Sequence, residues 1–129
     1  MKSKLIAAFE STRDGFSADR VVADPTLNAA FVVKCLELEL AAEPATLNRR
    51  LINLRKTGHL RHLKSRRTTL SQEDAYRFAA EMTVRFMERR DGVTLDDIIC
   101  DPKLAAEFDR LAAAISPGFT PLEYRWAAL

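Results

Sequence analysis

Laid over itself at an offset of 77, the sequence matches without a gap: GFSADRVVADPTLNAAF at 15–31 falls over GVTLDDIICDPKLAAEF at 92–108, with seven of the seventeen pairs identical. Ser17/Thr94, Val21/Ile98 and Val22/Ile99 are alike in chemistry, and Phe9/Phe86, Arg13/Arg90, Asp14/Asp91 and Pro44/Pro121 extend the register. Self-similarity at a fixed period limits the chain to a structure assembled twice from one unit. The expectation is a tandem repeat of two related helical units, 1–70 and 71–129.

Local signals give the unit its contents. Asp24-Pro25 and Asp101-Pro102 each set a side-chain acceptor before a proline at the first helical position, where the missing N–H costs nothing. Leu27, Ala30, Phe31, Cys35 and Leu38 in the first copy, and Leu104, Phe108, Leu111 and Ile115 in the second, recur at helical spacing and read as buried stripes. Ser116-Pro117-Gly118 stops the latter helix, and Thr120-Pro121-Leu122-Glu123 opens another with a capping-box pattern. Ser71-Gln72-Glu73-Asp74 opens a long helix to about Arg90, with Ala75, Phe78, Ala79, Met82 and Phe86 inward. A shorter counterpart runs from Ser3 to Thr12. The fold class is mainly α. Leu129 falls over Ile52, so the second copy lacks counterparts of Asn53 to Leu70 and is expected to be truncated or, alternatively, to have lost that function.

Bulk composition closes off several classes. With 47% hydrophobic residues among 129, the chain can bury a core. No run reaches the eighteen apolar residues of a membrane span, and the start has no signal-peptide core, so the expected compartment is the cytoplasm. Cys35 and Cys100 lack metal or redox spacing and read as buried thiols. His59 and His62 lack the second ligand pair that zinc requires. No catalytic motif is present; no enzyme activity, metal or cofactor is expected.

The net charge of +2 conceals a separation. From Pro44 to Gln72 there is no Asp or Glu, while Arg49, Arg50, Arg55, Lys56, Arg61, Lys64, Arg66 and Arg67 make +8; the remaining 12 basic and 18 acidic residues make −6. A solvated face normally mixes signs, so this stretch reads as a cationic patch. Within it, Leu47, Leu51 and Leu54 share one helical face, which turns Arg49, Ile52, Asn53 and Lys56 outward. Gly58 ends the helix, and residues 59–67 offer short β-compatible pieces around a polar turn.

A helix, a short connection, the entry Pro44-Ala45-Thr46, the segment Leu47 to Lys56 and then Gly58-His59-Leu60: this order resembles the winged helix-turn-helix superfamily of DNA-binding domains. The resemblance covers about 45 residues of the first unit. It implies that helix 45–57 is a recognition helix and that 59–67 is a basic β-hairpin wing. Double-stranded DNA is then the partner, with the protein a transcriptional regulator or the DNA-recognition part of a bacterial-type system. The chemistry agrees: an Arg fork matches guanine and Asn pairs two-pronged with adenine, in a groove that admits a helix. Arg49, Asn53 and Lys56 are assigned to base edges, with Ile52 against a thymine methyl. Arg50, Arg55, Arg61, Lys64, Arg66 and Arg67 are assigned to phosphates, which position without specifying. One reading helix covers few base pairs, so a second contact or a homodimer is expected. The alternative is an interaction module docking its basic face on an acidic protein. RNA ranks below both, since the stretch has no aromatic platform for stacked bases.

Overall fold

The computed structural model describes residues 2–70 and 74–129; the expected helix start at Ser71 to Glu73 lies outside them. The chain divides into two compact units, Met1–Thr68 and Thr69–Leu129. Among the described residues all regular structure is helical.

The first unit holds α1 (Lys2–Thr12), α2 (Ala18–Ala23), α3 (Pro25–Glu37) and α4 (Pro44–Lys56). Ser17 accepts from the Arg20 N–H to start α2, and Asp24 accepts from the Thr26 and Leu27 N–H groups to start α3 with Pro25 behind it. The core comprises Leu5 and Phe9 of α1, Val21 and Val22 of α2, Phe31 and Cys35 of α3, and Leu47, Leu51 and Leu54 of α4, all buried. Ala30 is exposed, and Leu27 and Leu38 lie half-buried beside this core. Burial pushes the Cys35 thiol up to about 11, so it stays protonated and inert.

The turn between α3 and α4 contains no glycine, yet it needs one left-handed residue. Glu39 takes that conformation at φ +63, with its N–H donating to Leu36 O and the next N–H, of Leu40, to Cys35 O. That pair of bonds is the Schellman termination in which glycine is the common choice. A left-handed β-carbon costs about 1–2 kcal/mol, and glycine returns about 0.4–1 through the freer unfolded chain. Glu39→Gly is therefore expected to stabilise the protein by about 0.5–1 kcal/mol, read as a raised urea midpoint with unchanged slope.

The second unit holds α5 (Asp74–Asp91), α6 (Leu95–Cys100), α7 (Pro102–Ile115) and α8 (Pro121–Ala128). Helices α6, α7 and α8 begin at 95, 102 and 121, each 77 residues after the starts of α2, α3 and α4 at 18, 25 and 44. Thr94 and Thr120 form complete capping boxes with Asp97 and Glu123. Ile98, Ile99, Phe108, Met87 and Tyr124 are buried, and the Tyr124 hydroxyl donates to Ser116 O.

Two expected inward faces are corrected. On α5, Phe78, Met82 and Phe86 are exposed, as is Ala75; the buried stripe is Tyr76, Ala79, Ala80, Thr83 and Met87. Small residues at 79, 80 and 83 let α7 and α8 pack closely on that side. The Thr83 hydroxyl is satisfied by Ala79 O at 2.7 Å. Ile115, at the end of α7, is likewise exposed.

Residues 59–67 do not form a β-hairpin, which corrects the expected wing. Leu60 is buried and anchors the segment as a series of turns, with Leu63 N–H donating to Leu60 O. Beyond it the backbone finds partners elsewhere: the Arg66 N–H donates to Gly15 O at 2.7 Å, and the Arg13 guanidinium donates to Lys64 O at 2.6 Å. The segment is a strap laid over the α1–α2 turn, and its polar groups are claimed before two strands could ladder.

Candidate nucleic-acid interface

Helix α4 is built so that its inner side is fully occupied. It packs on α1, α2 and α3, and its buried residues are Leu47, Asn48, Leu51, Ile52 and Leu54. Three neighbours bury a wide arc, and this arc takes in Ile52, which is only 7% exposed. Ile52 is therefore corrected: it packs inward and presents no methyl to a base. Beside it Asn48, 1% exposed, exchanges amide hydrogen bonds with Asn28 of α3 at 2.7 and 3.3 Å. This pair fixes α4 against α3 without an orphaned buried amide.

The opposite side is cationic and exposed. Arg49, Asn53 and Lys56 are exposed and fall within about 60° of one another around the helix axis. Arg50 is exposed on the neighbouring edge. The helix ends in a Schellman turn: Gly58 N–H donates to Arg55 O and His59 N–H to Leu54 O, with Gly58 at φ +81. A side chain at Gly58 would come within 2.7 Å of the Arg61 Nε, so the same glycine lets Arg61 lie back over the end of α4.

The six cations assigned to phosphates are all exposed, and two of them also tie elements of the first unit together. Arg55 is paired with Asp19 of α2 at 3.1 Å. Arg66 donates to Asp14 O at 3.0 Å and pairs with the Asp14 carboxylate at 3.3 Å, while its guanidinium sits 4.3 Å from the Phe16 ring centroid. Arg20 lies 4.1 Å from the same ring, pairs with Asp24 and donates to the Thr68 hydroxyl. Arg50, Arg61, Lys64 and Arg67 are exposed.

Asp14, Phe16, Asp19 and Asn28 were not among the sequence-predicted site residues. They lie 20 to 52 positions from the groups they hold, so no local spacing announces them. The single cue is Asp14-Gly15, a dipeptide typical of tight turns, which here adopts φ of +49 and +79. Compared with known proteins, the chain matches no family model, no curated protein and no solved structure.

Proposed function

We propose that the first unit binds double-stranded DNA, with the outer face of α4 in the major groove, and that the second unit is a diverged copy of the first. The reading rests above all on one observation. Arg49, Asn53 and Lys56 share an exposed stripe of one helix, inside a 29-residue stretch that contains no carboxylate. Arg49, Asn53 and Lys56 read base edges, and Arg50, Arg61, Lys64 and Arg67 contact phosphates. Arg55 and Arg66 serve the interface indirectly: the first ties α4 to α2, and the second pins the strap to the α1–α2 turn. A transcriptional regulator or a recognition component of a larger DNA-acting assembly fits this chemistry.

Selection of bound duplexes from a random pool at moderate salt supplies the test sequence. On it, Arg49→Ala or Asn53→Ala is expected to cost about 1–3 kcal/mol and relax the preference at one position, whereas Arg67→Ala weakens every duplex alike. Equal losses on selected and scrambled duplexes from all three variants would remove base reading from the account. A selection that enriches nothing, with capture of an acidic protein that survives nuclease, would replace DNA by a protein partner.

A further inference from the structure

The face of α5 turned away from the core carries Phe78, Met82 and Phe86, exposed by 57%, 41% and 49%, with Ala75 also exposed. At 100° per residue these four fall within about 80° of one another, a continuous apolar stripe on a helix that already buries its other side. Such a stripe marks an interaction surface. The charges beside it identify the occupant. Asp74 and Glu81 in its first half and Arg85 and Arg89 in its second are all exposed and lie along one side of the stripe.

We infer that α5 pairs with α5 of a second copy, antiparallel, about a two-fold axis at Met82. Turned end for end about that point, Phe78 meets Phe86 of the partner subunit and Met82 meets Met82 of the partner subunit. Two charge pairs then match across the seam: Asp74 lies toward Arg89 of the partner subunit, and Glu81 toward the partner's Arg85. Self-complementarity of this kind is what an isologous interface demands. A parallel pairing would leave these charges on opposite flanks of the seam with no counter-charge facing them, which disfavours it. Arg90 stays out of the seam, stacked 4.9 Å from its own Phe86 and paired with Asp91. The surface belongs wholly to the second unit, so it stands independently of DNA binding by the first. Where both hold, the dimer presents two reading helices.

One helix face per copy is a small interface, so the dimer is of micromolar strength. Sedimentation equilibrium of the full chain between about 5 and 500 µM is expected to show a reversible monomer–dimer equilibrium. Met82→Glu, which sets two carboxylates across the axis, raises the dissociation constant by at least about 30-fold. Glu81→Arg and Arg85→Glu each weaken association, and the two together restore it. All three positions are exposed, and unchanged helical circular dichroism confirms that the variants fold. A wild-type chain that stays monomeric throughout overturns the inference. So does a dimer indifferent to Met82→Glu, or a charge-swapped pair no tighter than its single variants.

Discussion

Arg125→Met will lower the unfolding free energy of the unit Thr69–Leu129 by about 3–4 kcal/mol, more than any surface change in the chain. Arg125 is 9% exposed on the inner side of α8, and its Nε donates to Asp109 Oδ1 of α7 at 3.0 Å while an Nη donates to Oδ2. The two side chains are 11% and 19% exposed, so neither is screened by bulk water. Removing the guanidinium leaves the Asp109 carboxylate largely buried without its partner, and its uncompensated desolvation accounts for the cost. Replacing both ends with apolar groups, Arg125→Met with Asp109→Leu, removes the stranded charge and is expected to recover most of the loss. Trp126, the chain's one tryptophan, is half-buried next to Arg125 and reports this unit directly. Urea midpoints followed by its fluorescence decide the matter. A single variant within about 1 kcal/mol of wild type, the reach of an ordinary surface ion pair, would show that the pair is solvated in practice.

Asn48, 77 residues earlier, is like Arg125 a buried polar group on the last helix of its unit. The first unit answers with the amide of Asn28, the second with the carboxylate of Asp109. Hydropathy gives no warning of either. An Asn or Arg in an amphipathic helix is assigned to the wet face unless its partner is known, and both partners come from another helix.

That contrast sets how far the chain can be read without coordinates. Helix starts at Asp24, Asp101 and Thr120, and the stop at Gly58, were legible because a cap is made by neighbours in sequence. The inward turn of Leu47, Leu51 and Leu54 was legible because α4 carries only one strongly apolar face. Helix α5 has two, about 120° apart, and bulk favoured Phe78, Met82 and Phe86 as the buried one. Packing chose the flatter side of Tyr76, Ala79, Ala80, Thr83 and Met87, a choice that depends on how closely α7 and α8 approach. The absent hairpin has the same origin: whether residues 59–67 pair with each other depends on Gly15 and Arg13, which compete for the same backbone groups. Of the site, Arg49, Asn53 and Lys56 were placed outward by periodicity alone and are exposed. The burial of Ile52 follows from the number of helices against α4, which no periodicity encodes.

The second large effect concerns the interface itself and is carried by salt. Arg50, Arg61, Lys64 and Arg67 are the four cations assigned to phosphates, and each neutralised phosphate releases condensed counterion. With Arg55 and Arg66 engaged by Asp19 and Asp14, the count falls from six to four. The expected slope of log affinity against log salt then falls from about −5 to about −3.6 per chain. Fluorescence anisotropy of the full chain on its selected duplex, titrated from 50 to 200 mM salt, is thus expected to show affinity dropping about 150-fold. Arg67→Ala should shrink the slope by about 0.9. An affinity that stays flat across that range, in wild type and variant alike, would contradict the proposal that α4 and its cationic neighbours lie on DNA.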